Sequence, residues 1–253
     1  MQPPSALWLN LPSLGLSVRA LFTGFLLAAG FGLAMAGGQI LLTHGMADGK
    51  LGLSVDDVVY SYYGNRDNSK LEAKLNGSMK DKAPAEVRLE MIKWARAGAP
   101  EGQWNSRISG LFQQNCVRCH SVIPGLPDFT RLEGVKEVAK IDEGADIGAL
   151  TRVSHIHLFG ISFIFFFIGL IFSLSVGIPL WLKVTVILMP FAFLIVDVLS
   201  WWLTKFSPGF AWLTIVGGFG YTAASTFMWL TSLYQMWVLP RKGREYRVNA
   251  WWD

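Results

Sequence analysis

The chain has 253 residues, of which 52% are hydrophobic and 16% charged, with 11 tryptophans. Soluble domains carry nearer a quarter charged residues, so an ordinary soluble globule is excluded. Half of the formal net charge of +4 comes from the C-terminal tail, whose basic run suits anionic lipid head groups and gives no reason to expect a nucleic-acid partner.

Charge is unevenly distributed. Residues 153–240 contain only Lys183, Asp197 and Lys205, whereas residues 47–152 carry fifteen basic and fifteen acidic side chains. Four stretches, near 20–42, 156–175, 181–203 and 211–238, reach the roughly 20 residues of helix that a hydrocarbon core of about 30 Å requires. The expected fold is therefore mainly α, a four-helix transmembrane bundle with an inserted α-helical domain. Its parts are an N-terminal segment with the first transmembrane helix (1–46), the insert (47–152), three further transmembrane helices (153–240) and a basic tail (241–253).

In the first span, Ala34-Met35-Ala36 resembles a signal-cleavage site, but the region before it is long and carries a single basic residue, Arg19. The segment reads as an anchor, and its glycines at 24, 30, 32, 37 and 38 suit close packing against another helix. Within the insert, Pro84 suits a helix start and Gly98 its stop, and residues 87, 91, 92 and 95 share an apolar helical face.

The most specific motif is Cys116-Val117-Arg118-Cys119-His120, which holds the only two cysteines. C-x-x-C-H lets two thiols add to the vinyl groups of a haem while the adjacent imidazole takes the iron. A zinc site would need a second ligand pair at short spacing, and a thioredoxin-type motif would follow a strand in a βαβ pattern; neither is present in the sequence. Gly110, Leu111 and Phe112 precede the motif, and Pro124 and Pro127-Asp128 follow it.

Over about thirty residues this region resembles the start of a class I cytochrome c, and the chain as a whole resembles a membrane-anchored mono-haem c-type cytochrome. The resemblance implies one covalent haem c attached through Cys116 and Cys119, with His120 as proximal iron ligand. A class I domain normally supplies a distal methionine after the motif, yet no Met lies between His120 and the second span. The run from Leu75 to Met79, followed by the helix after Pro84, looks like the Met loop and closing helix of such a cytochrome moved ahead of the attachment site. Met79 is one candidate distal ligand; His155 and His157 are the others.

His44, His155 and His157 fall at one expected membrane level, and with Asp197, the only acid in the spans, they form a candidate second site for a quinone, a b-haem or a separate metal. On a helix, residues at i and i+2 point about 200° apart, so His155 and His157 share a ligand only if the helix begins between them. Tyr60, Tyr62 and Tyr63 are candidates to pack around the haem. Trp201, Trp202, Trp212 and Trp237 fit interfacial belts, and Gly217, Gly218 and Gly220 give the last helix a close-packing face.

The basic run from Arg241 to Arg247 puts the C-terminus in the cytoplasm by the positive-inside rule. Four crossings place the N-terminus there too, and the insert in the periplasm of a bacterial inner membrane. No nucleophile triad, phosphate loop or dinucleotide fingerprint is present in the sequence. The function expected is electron transfer through the haem between redox-protein donor and acceptor, as a subunit of a larger respiratory membrane complex rather than a stand-alone enzyme. The alternatives are a quinol-oxidising subunit and a structural or sensor haem subunit.

Overall fold

The structure, a computed structural model, describes residues 8–43, 45, 52–242 and 246–251. It is mainly helical; the described residues contain no strand, only an isolated bridge between Ser69 and Ile141. The chain divides into two compact units, one formed by residues 1–44 and 147–253, the other by residues 45–146.

The first unit contains four long helices: α1 (Leu16–Thr43), α9 (Ile147–Ser173), α10 (Leu180–Phe206) and α11 (Ala211–Trp237). Three of them are long and apolar enough to cross a membrane, over Leu16–Leu42, Ile147–Ser173 and Leu180–Phe206, so this is a membrane protein. The equally long α11 has no charged residue, but its serines, threonines, glycines and aromatics lower its hydropathy. Helix α9 begins at Ile147, ahead of the expected span near 156 and of the expected boundary at 152/153. Its first turns are polar, and hydropathy alone does not register them.

Helices α10 and α11 approach most closely at two glycines. A Cβ on Gly217 would lie 2.7 Å from the Cβ of Asp197, and one on Gly220 would collide with the Phe193 ring. Among the α1 glycines the packing expectation holds at Gly30 alone, which meets Trp229; Gly24, Gly32, Gly37 and Gly38 have nothing within 4 Å. Helix α1 is joined to α11 by indole hydrogen bonds, Trp229 Nε1 donating to the Leu26 carbonyl (2.8 Å) and Trp237 Nε1 to Thr23 Oγ1 (2.9 Å). Trp237 is thus half-buried and bonded rather than a free belt residue. Pro190 lies inside α10, removing one backbone donor while the helix continues through it.

One end of this unit is closed by a clasp between the chain termini. Asn10, fully buried, donates from Nδ2 to the carbonyls of Tyr246 (3.0 Å) and Val248 (2.7 Å), while its Oδ1 caps a 3₁₀ turn at Leu11–Ser13. Ala250 N–H donates to Leu9, Leu11 N–H to Leu174, and the buried Lys183 ammonium to the Ala250 carbonyl. The start of α1, the end of α9, the start of α10 and the end of α11 therefore share one end. The Gln235 amide completes it, donating to and accepting from the backbone of Val176 at 2.9 Å each way.

The second unit comprises α2 (Val55–Tyr62), α3 (Lys70–Asn76), α4 (Ala85–Arg96), α5 (Glu101–Gln103), a π-helical turn at Trp104–Ile108, α6 (Ser109–Asn115), α7 (Val117–His120) and α8 (Leu132–Ala139). Helix α2 opens with a full capping box between Ser54 and Asp57. Helix α4 buries Met91, Ile92 and Ala95 of the apolar face read from its sequence, with Val87 partly buried, and buries Trp94 as well.

Replacing Asn10 by Ala removes two N–H bonds to backbone carbonyls and a turn cap, a loss of roughly 2–4 kcal/mol for the clasp. Trypsin should then cleave after Arg247 faster in Asn10→Ala than in the wild type in matched detergent. Equal cleavage rates would show that the clasp does not hold the tail.

Candidate haem-attachment site

The motif forms one helical turn. The Cys116 carbonyl accepts from the N–H groups of Cys119 (3.2 Å) and His120 (3.1 Å), so residues i, i+3 and i+4 stand on one face of the same turn. Cys116 is half-buried and Cys119 exposed, and both are free thiols. Burial pushes the Cys116 thiol up to about 11, so it packs as a neutral, weakly polar group against the core.

The core beneath this turn is aromatic. Phe112, four residues before Cys116 and fully buried, meets Trp104 (5.6 Å between centroids), Trp94 (6.2 Å) and Phe129 (5.4 Å). Phe129 in turn stacks on His120, the rings 4.1 Å apart and 11° from parallel. The second constraint on His120 is a 3.0 Å contact from Nδ1 to the Pro127 carbonyl. A carbonyl only accepts, so Nδ1 carries the proton and Nε2 is left with its lone pair, the tautomer a metal-ligating imidazole needs. The residues therefore fit a C-x-x-C-H haem: two thiols and an oriented Nε2 on one short turn.

The loop that supplies Pro127 and Phe129 is itself fixed. Asp128 Oδ1 accepts from the Thr130 N–H (2.9 Å) and hydroxyl (2.7 Å), and these bonds hold its carboxyl below the usual range. This bracing is complete above the ordinary carboxylate pKa and is lost only as acid protonates Asp128 below it. Helix α8 presses on the same loop, since a Cβ at Gly134 would collide with the Asp128 carbonyl oxygen. Phe129, Trp94 and Trp104 were not singled out from the sequence; the available signal was the four-residue spacing from Phe112 to Cys116 and the tryptophans at 94 and 104.

The other candidates are placed as follows. Met79 is half-buried in the turn after α3 and stands outside the aromatic core, whereas Met91 is fully buried within it. Tyr60, Tyr62 and Tyr63 are also outside that core; Arg66 lies over the Tyr63 ring. His44 lies outside the described residues. Because α9 begins at Ile147, His155 and His157 are both well inside it and diverge. His155 is exposed with Phe159 at its edge, while His157 donates from Nδ1 to the Val153 carbonyl (3.0 Å) and meets the Trp201 ring edge-on at 5.1 Å.

Trp201 is buried rather than interfacial, and its Nε1 donates to Asp197 Oδ1 at 3.1 Å. His157 and Asp197 are thus joined through Trp201, a link between α9 and α10. Trp202 likewise reaches across to Ser154 Oγ (2.9 Å), and only Trp212 of the four expected belt residues is largely exposed. Among the described residues, no three His, Cys, Asp or Glu side chains gather closely enough to hold a separate metal ion.

A family model described as a transmembrane helical domain matches residues 136–244. That segment runs from α8 through α9, α10 and α11, and leaves the Cys116–His120 turn and α1 outside. No curated protein and no solved structure matches the chain.

Gly134→Ala should force Asp128 away from α8 and loosen the loop that orients His120, at a cost of about 1–3 kcal/mol by overpacking. Gly110, with nothing within 4 Å of a built Cβ, is the control, since Ala there adds helix propensity. Amide exchange of Phe129 and Thr130 should quicken in Gly134→Ala and not in Gly110→Ala. Unchanged exchange in the first variant would refute the bracing.

Proposed function

We propose that the chain is a membrane-bound c-type cytochrome that transfers electrons through one covalently attached haem, as a subunit of a larger redox complex. The observation that carries this reading is the single turn bearing Cys116, Cys119 and His120, whose imidazole is oriented by the Pro127 carbonyl. Cys116 and Cys119 would hold the group as thioethers and His120 Nε2 would take its iron. A haem so bound supplies a one-electron couple between ferrous and ferric iron. The chain's own residues would fix the imidazole tautomer, pack an apolar wall of Phe112 and Phe129 behind the site, and supply one further ligand to the iron.

Met79 is the distal ligand in this reading. It belongs to the same compact unit as His120, and its backbone N–H is bonded to the Lys74 carbonyl near the end of α3. His155 and His157 belong to the other compact unit. Electrons would arrive from and leave to protein partners.

Helix α11 is the fourth span in this reading. It lacks charge, and at 27 residues it measures about 40 Å. The clasp supports the count, because termini that meet at one end require an even number of crossings. The basic tail supports placing that end in the cytoplasm. Residues 45–146 then lie in the periplasm of a bacterial inner membrane, where covalent haem attachment takes place.

The test is to express the full chain with a c-type haem maturation system and record the pyridine haemochrome. One haem c per chain is expected, retained on a denaturing gel and released when both Cys116 and Cys119 are replaced by Ala. A chain that carries no haem, or one that keeps covalent haem without both cysteines, would sink the proposal.

A further inference from the structure

Asp197 is the only acid in the four long helices, and it has no part in holding a haem. It is 4% exposed, and its Oδ1 accepts from the Trp201 indole at 3.1 Å. A carboxylate buried among membrane helices without a cation costs several kcal/mol, so such a group is met by a proton, an ion or water rather than left as a bare charge.

The buried face of α10 changes character at Asp197. Toward the clasp it is apolar for about three turns, through Leu194, Pro190 and Val186. Toward the C-terminal end of α10 it is polar: Ser200, Thr204 and Lys205 are all buried beside Trp201. Neighbouring helices extend that polarity. Thr214 of α11 shares a 2.6 Å hydrogen bond with Ser200, and Ser154 of α9 accepts from the Trp202 indole at 2.9 Å. Thr204, seven residues beyond Asp197 and so on the same helical face, is fully enclosed, and its hydroxyl has no hydrogen-bond partner among the described residues. A buried hydroxyl without a protein partner is a place for water. It stands between the carboxyl and the end of α10, which is about 14 Å from Asp197.

Titratable groups approach Asp197 from each helix packed on it. On α9, His157 meets the edge of the Trp201 ring. On α11, Gly217 lies against the Asp197 Cβ, and Tyr221, one turn further, is within electrostatic reach of the carboxyl. On α10 itself, Lys205 lies two turns toward the helix end. Among the described residues, none of these forms an ion pair with Asp197.

We propose that Asp197 is a proton-exchange site open to the membrane face at the C-terminal end of α10, through the polar seam past Ser200 and Thr204, and sealed from the clasp side by Val186, Pro190 and Leu194. An O–H bond forms at the carboxylate as one breaks in water, and no electron moves. The site lies in the other compact unit from the Cys116–His120 turn and stands without a haem.

The experiment is infrared difference spectroscopy of the full-length protein in detergent on transfer from H₂O to D₂O. Between about pH 5 and 8, where exposed carboxyls are ionised, a protonated-carboxyl C=O band should be present, shift on deuteration and be missing in Asp197→Asn. Asp197→Glu, which keeps the acid and moves the band, makes the assignment if Asp197→Asn does not accumulate. Thr204→Val should slow the deuterium shift about tenfold, the effect of losing one hydrogen bond along the route. Ser232→Ala removes a fully buried, unpartnered hydroxyl from α11 near the clasp and should leave the rate within twofold of wild type. No Asp197 band in that range, or a band that stays unshifted in D₂O, would show a sealed structural acid and overturn the inference. Equal rates in wild type and Thr204→Val would overturn the route. A band abolished when sodium replaces choline at fixed ionic strength would make the ligand a metal cation and overturn the proton assignment.

Discussion

Hydrocarbon offers a polar group no partner, and this constraint orders the membrane unit. A polar atom buried there finds its hydrogen bond within the chain or costs several kcal/mol. The indoles of Trp201, Trp229 and Trp237 accordingly reach a carboxylate, a carbonyl and a hydroxyl, each on the same or a neighbouring helix. Gln235 satisfies both the N–H and the carbonyl of Val176, and Ser200 shares a hydrogen bond with Thr214. These bonds fix which helix faces which, a task that apolar contact performs poorly in lipid, because lipid tails are as apolar as leucine. The glycines at 217 and 220 do the complementary work of letting two backbones approach.

In the inserted unit, order comes from apolar burial instead. Trp94, Trp104, Phe112 and Phe129 form a connected series of ring contacts, each pair worth about 0.5–1.5 kcal/mol beyond the area it buries. The ion pairs add less. Arg107 to Glu90 and Lys140 to Glu137 are largely exposed, and such pairs contribute at most about 1 kcal/mol. Aromatic packing therefore decides where the attachment turn sits, and the ion pairs adjust its surroundings.

Much of the fold was legible because hydropathy and helix periodicity are local. The three spans found in the structure match the sequence reading within a few residues, except at the start of α9. There, residues 147–155 are helical but too polar to register as membrane-spanning. The helical face of α4 was likewise readable from positions 87, 91, 92 and 95. Trp201 was misplaced because a tryptophan near a span end ordinarily marks the interface; the signal that it is buried was Asp197 four residues earlier, within indole reach on one helical face. The clasp was illegible in principle, because Asn10 and Val248 are 238 residues apart and no local pattern joins them. The Cys116–His120 motif itself was plain, but the loop from Pro127 to Thr130 that orients its histidine has no signature of its own.

The two histidines with assigned Nδ1 partners show where a ligand site can be built. His157 donates to Val153, four residues back on its own helix, so its orientation is available to any histidine in a helix with a free carbonyl below it. His120 donates to Pro127, seven residues ahead in a loop, and that loop is placed by Phe129 in the core and by the close approach at Gly134. The first orientation is local and exists as soon as the helix forms. The second is tertiary and exists only when α6, α7, α8 and the aromatic core have assembled. An imidazole whose tautomer and direction depend on the whole unit costs conformational entropy that packing alone does not require. Its presence beside two cysteines on one turn is what the proposed haem attachment would use.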